Sequence, residues 1–225
     1  MNQVSMKSLL KCFLQLAALC TIPLAVTLSG CQKANDVATQ IGGPTDKEVK
    51  TLELHSLWKT PCVKAGLLLE VFGFPAQKTE MDFGASHSST TILYREDNCQ
   101  NAAIRIIENG AYSLGNKVAD NVYELNEHYD SVAITPLNAD GVNALNTIRA
   151  CGFTDWNSGV GKDVTAQSST TPALARCWMK TPRDVFDIVM VTGNVIKFGL
   201  EKNGLDKSAP QKRPTEVDQS SVFAK

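Results

Sequence analysis

From Leu54 to Leu200 the chain alternates short runs of β-branched and aromatic side chains with clusters of turn formers. Such runs, bounded by Gly, Asn, Asp or Ser, read as antiparallel strands rather than helices. Lys78–Phe83 and Ser89–Tyr94 form one pair around a turn at Gly84-Ala85-Ser86-His87-Ser88. Ala102–Ile107 and Ala111–Leu114 flank Asn109-Gly110, whose tolerance of positive φ suits a tight hairpin turn. Val122–Asn126 and Ser131–Thr135 continue the series, and Val185–Val191 and Val195–Leu200 flank Thr192-Gly193-Asn194. With Leu54–Lys59 the count is about eight strands, so the fold class is mainly β. One short helix interrupts them after Asn138 or Asp140, with Gly152 to stop it. Leu67–Phe74 fits either a buried strand or a helical turn.

An antiparallel meander leaves two edges open to other chains, and closure into a barrel removes both. Eight strands enclose an interior that either fills with side chains or holds one small ligand.

The N-terminus carries a different kind of information. Lys7 and Lys11 precede an apolar stretch, Phe13–Val26, and then Leu28-Ser29-Gly30-Cys31, the order of an export signal. Pro23, Gln15 and the shortness of the run disfavour a permanent span, which needs about 20 apolar residues. Leu28-Ser29-Gly30-Cys31 resembles the lipobox of bacterial lipoproteins. That resemblance implies removal of residues 1–30 as a signal peptide and attachment of lipid such as palmitate to Cys31. Several acyl chains on one residue anchor firmly where a single chain does not. Gln32 after the cysteine implies, by the same resemblance, the outer membrane, on its periplasmic face or at the cell surface. Residues 31–50, with Gly42-Gly43-Pro44 among polar side chains, read as a flexible tether. Residues 51–201 then form the barrel domain, and 202–225, with little to bury before Val222-Phe223, an irregular C-terminal segment.

Export sets the redox environment of the remaining cysteines. Cys12 and Cys20 fall in the signal and Cys31 is the anchor, which leaves Cys62, Cys99, Cys151 and Cys177. An even remainder in an oxidising compartment points to two disulfides, and three pairings are possible. Proximity in sequence favours Cys62 with Cys99 and Cys151 with Cys177. Zinc binding is disfavoured, because no two of these cysteines have ligand spacing and His55, His87 and His128 are scattered.

Leu54-His55-Ser56-Leu57-Trp58 with Cys62, followed by a hairpin ending Tyr94-Arg95-Glu96-Asp97-Asn98-Cys99, is similar to the start of secreted bacterial lipocalin-like domains. That family places Gly-x-Trp on its first strand, and Ser56 stands at the glycine position here. The resemblance implies a lipocalin-like barrel over residues 54–200, closed at the tryptophan end. It also implies a basic residue from the end of the chain packed across Trp58, for which Arg213 is the candidate.

Composition and motifs exclude several functions. The mature part keeps 20 basic groups against 23 acidic ones, a net charge of about −3, without the basic stripe that nucleic acid requires. Glu96 and Asp97 read as a solvated turn, and Gly159-Val160-Gly161-Lys162-Asp163 lacks the spacing of a phosphate loop. His87 and His128 have no partner visible in sequence and read as exposed or edge residues, while Trp156 and Trp178 read as covers for the second disulfide. No catalytic set, cofactor or metal site is legible, so the expectation is a non-enzymatic module. Its partners are the membrane, through lipid, and a small apolar or amphipathic ligand whose contact residues the sequence does not indicate. The alternative is a structural or protein-interaction lipoprotein with a filled barrel.

Overall fold

The structure, a computed structural model, describes residues 45–66, 69–70, 72–170, 177, 180–202 and 204–225. The expected signal peptide, Cys31, most of the expected tether and Trp178 lie outside the described residues.

The chain is described first at Thr45, which caps helix α1 (Asp46–Leu54). The Thr45 hydroxyl accepts from Glu48 N at 3.2 Å and Thr45 N donates to the Glu48 carboxylate at 2.6 Å, a reciprocal capping box. Residues 45–50, assigned to the flexible tether by composition, are therefore the cap and first turn of a helix. Among the described residues ten strands follow: β1 (Leu57–Lys59), β2 (Val63–Lys64), β3 (Ala76–Phe83), β4 (His87–Tyr94), β5 (Ala102–Ala119), β6 (Val122–Pro136), β7 (Lys162–Asp163), β8 (Arg183–Thr192), β9 (Val195–Gly199) and β10 (Val217–Ala224). Helices α2 (Ala139–Ile148) and α3 (Thr165–Thr170) separate β6 from β7 and β7 from β8.

Eight of these strands pair in the order β1-β10-β9-β8-β6-β5-β4-β3, and β3 pairs back to β1, so an antiparallel barrel closes. This is the architecture expected of a lipocalin-like barrel. β2 extends β3 and β7 flanks β6. Of the Leu67–Phe74 region, Leu69 and Glu70 are helical, with Glu70 N bonded to Gly66 O at 3.1 Å.

Two expectations about the strands are corrected. Asn109-Gly110 is not a hairpin turn: β5 runs straight through it, and β6 joins the two segments expected on its side. Asn109 faces Ser131 and Gly110 faces Tyr129, so Asp130 is the extra residue of a β-bulge. Glycine serves close approach here, since a Cβ at 110 would sit 1.7 Å from the His128 carbonyl oxygen. The reversal comes at Asp120-Asn121, where Asn121 takes φ of 56°. Second, residues 202–225 are not irregular throughout. Val217–Ala224 is the stave between β9 and β1, and closure of the barrel depends on it. At Gly193-Asn194 the chain does turn in two residues, with Thr192 facing Val195.

Apolar side chains fill both ends. Leu54, Trp58, Phe83, Leu114, Tyr123, Val191 and Ile196 pack one end. Phe74, Leu93, Ile104, Ile134, Leu145 and Trp156 pack the other, beneath α2. Cys62 is bonded to Cys99 and Cys151 to Cys177, the pairs that sequence proximity favours. Trp156 and Cys151 share the second cluster, so this tryptophan does cover its disulfide.

Trp58 is fully buried and its indole N–H donates to Leu54 O at 2.8 Å. The cation across its ring is Lys225, with Nζ 4.7 Å from the ring centroid, and not Arg213, which lies over Phe186. The terminal strand carries Lys225 to that end of the barrel, whereas Arg213 precedes the strand. Lys225→Ala is expected to lower stability by about 0.5–1 kcal/mol, read as the urea midpoint followed by tryptophan emission. An unchanged midpoint would show that the contact contributes nothing.

Candidate functional site

Between the two apolar ends the inward register of the strands turns polar. On β6 the residues after Tyr123 and Leu125 are Glu127 and Tyr129; on β5, Glu108 follows Ile104 and Ile106; on β8, Asp187 lies between Val185 and Val189. Because side chains alternate between faces, these acids point inward with their apolar neighbours. Glu108, Glu127 and Asp187 are all buried, and a buried charge must be matched by a partner.

His87 supplies one match. The structure corrects its assignment to an exposed turn: it opens β4 opposite Phe83, is 0% exposed, and stacks on the Phe83 ring at 4.6 Å. Its Nε2 lies 2.9 Å from both Glu127 Oε1 and Tyr129 Oη, and Tyr129 donates to the same Glu127 oxygen at 3.1 Å. Nδ1 faces the Asp82 carbonyl oxygen at 3.3 Å, which only accepts, so that nitrogen carries a proton. Nε2 then faces the Glu127 carboxylate and the Tyr129 hydroxyl together. Burial, reinforced by Glu127 and Glu108, pushes the Tyr129 phenol well above its usual range, so it stays a donor.

Arg183 answers Glu108, with Nη1 donating at 2.6 Å and the guanidinium 4.3 Å over the Tyr129 ring. Asp187 accepts from Ile188 N at 2.7 Å and Gly199 N at 3.0 Å and pairs with Lys207 Nζ at 2.9 Å. Burial is the first cause of its pKa being pushed up to about 6, against the opposing pull of Lys207.

Beside this belt lies a cavity of about 700 Å³, within the size range of ligand sites. Met81, Val185, Phe198 and Phe223 form its apolar wall, Glu127, Tyr129, Arg183 and Asp187 its polar one. The barrel wall makes room for it. β8 pairs with β9 only over Val189–Thr192, and β10 loses register with β9 between Val217 and Val222. The segment after β9 crosses that gap, held by Phe186 N donating to Lys207 O at 2.9 Å and by Arg213.

Lys207→Met tests the hold on this wall. An acid whose pKa rises on folding, here from 3.8 to about 6, binds more protons folded than unfolded between those values, so its contribution falls as pH climbs through that window. Without Lys207 the carboxylate is left uncompensated. The variant is expected to lose about 2 kcal/mol near pH 8 and distinctly less near pH 5, where Asp187 takes up a proton. A deficit in urea denaturation equal at both pH values would contradict this.

The cysteines singled out from sequence sit away from the cavity: the four described ones are in disulfides, and Cys31 lies outside the described residues. His128 is exposed as expected but does have partners, Asp184 at 2.7 Å and Asp130 at 3.0 Å, and the Asp184 hydrogen bond first of all raises its pKa. Glu108, Glu127, Tyr129, Arg183, Asp187 and Lys207 were not singled out by motif. No family model matches the chain and no curated protein is similar to it, so the site rests on its own geometry.

Proposed function

We propose that this chain is a membrane-tethered bacterial envelope lipoprotein whose barrel is a non-enzymatic binding module for a small amphipathic molecule, lipids included. The cavity of about 700 Å³ carries the reading. Its wall joins methionine, valine and phenylalanine side chains to carboxylates and a guanidinium, so a wholly apolar guest would leave charged groups desolvated and unmatched. The cavity also weighs against the alternative of a filled barrel acting only as an interaction surface. His87, Glu127 and Tyr129 are committed to one another and to the Asp82 carbonyl, which supports binding rather than catalysis.

The test is titration of the purified protein with N-phenyl-1-naphthylamine, followed by displacement with unlabelled amphiphiles. Saturable enhancement at one site, abolished by the cavity-filling Val185→Trp, is expected. Absence of saturable binding would overturn the module. The tether is tested separately: Cys31→Ala, or a signal peptidase II inhibitor, is expected to block maturation and palmitate labelling. Normal processing in either case would remove the lipoprotein reading.

A further inference from the structure

We infer that the barrel cavity selects amphiphiles with a cationic head, a primary or substituted ammonium on an apolar body. This rests on the binding-module reading and specifies its ligand. Two observations independently give the sign of the head group.

The first is an uncommitted oxygen. Glu127 is 5% exposed and lines the cavity, yet both of its contacts, to His87 and Tyr129, use Oε1. Oε2 accepts nothing from the described residues. A carboxylate oxygen left accessible on a buried residue that lines a cavity can take a donor from the guest, and an ammonium supplies up to three. The second is the balance of the lining, six carboxylates against Lys180, Arg183 and Lys207. Among the described residues Arg183 is paired with Glu108, Lys207 with Asp187 and with Glu201 at 3.7 Å, His128 with Asp184 and Lys212 with Asp206. Asp218 accepts from Ser220 N and Oγ and forms no ion pair among the described residues. Charged walls of low dielectric focus such an excess into the cavity. An anionic head would meet it as like charge, which costs far more in a desolvated site than in water.

The apolar wall suits the other end of the guest. Phe198 and Phe223 meet edge to face at 5.1 Å and line the cavity with Met81 and Val185, an apolar surface for an alkyl chain.

The experiment compares dodecylammonium, dodecanol and dodecanoate, below their micelle concentrations, by calorimetric titration into the full mature protein. The chain is constant, so only the head charge varies. The ammonium is expected to bind about tenfold tighter than the alcohol, with the carboxylate weakest, and the advantage to shrink with added salt. Glu127→Gln is expected to bring ammonium affinity down toward that of the alcohol, with the fold of the variant read separately from its urea midpoint. If Glu127→Gln does not fold, Asp218→Asn, at the rim and outside the buried network, is expected to lower ammonium affinity about threefold. A carboxylate that binds as tightly as the ammonium overturns the cationic preference and leaves the module standing. Failure of all three amphiphiles to bind overturns the module itself.

Discussion

Reduction of both disulfides is expected to unfold the barrel at room temperature, or bring it to the edge of unfolding. Cys62–Cys99 closes a chain separation of 37 residues and Cys151–Cys177 one of 26. Loops of this size remove about 3–4 kcal/mol per bridge from the unfolded chain's entropy, against a whole-domain stability of about 5–15 kcal/mol. The two bridges also act on different parts of the fold. The first ties the stretch between β1 and β2 to the β4–β5 loop, where β1 contributes only three residues to closure. The second ties the turn after α2 to the stretch after α3, over the apolar cluster containing Trp156. Urea denaturation with and without a reductant reads the sum, and serine pairs at each bridge read the parts. A midpoint insensitive to reduction would contradict the assignment.

Arg213→Ala is expected to cost about 3–4 kcal/mol, a large effect for one residue outside the helices and strands. Its Nη1 donates to Leu125 O at 2.8 Å and to Asp187 O, and its Nη2 to Asn126 Oδ1 at 2.7 Å. The planar fork thereby joins β6, β8 and the segment before β10 in one set of charge-assisted bonds. Truncation leaves those acceptors without the donor and frees the segment that walls the cavity, so amphiphile affinity should fall with stability. Arg213→Lys, a single point charge, should recover little of either. A loss below about 1 kcal/mol in urea denaturation would show that these bonds are replaced by water at no cost.

What the sequence made legible, and what it hid, follows from the same residues. Alternation and turn chemistry identified most of the strands, because a half-buried pleated surface needs that pattern whatever it packs against. Asn109-Gly110 misled because glycine answers two demands, positive φ in a turn and close approach at a bulge, and the letters do not distinguish them. The signature Thr45-x-x-Glu48 was present but lay inside a polar stretch. In β10, Val217-Asp218-Gln219-Ser220-Ser221-Val222-Phe223 has little strand preference of its own; the need to close the barrel imposes it.

The candidate site was concealed for a related reason. Each of its acids occupies one inward position in an otherwise apolar register, and a lone Glu in a strand looks like an outward-facing residue until the register is fixed. The readable signal was the interruption itself, occurring at Glu108, Glu127 and Asp187 on three strands. His87 became a core residue only when β4 was seen to start opposite Phe83, one position before its expected turn would have ended.

The claim that matters most is that an amphiphile enters the barrel. Methyl-resolved NMR of the protein titrated with dodecylammonium tests it directly. Saturable shifts and intermolecular contacts are expected at Met81 and Val185, which line the cavity, with little change at the exposed Leu52 and Val118. Contacts confined to Leu52 and Val118, with Met81 and Val185 unmoved, would place the guest on the outside and contradict it.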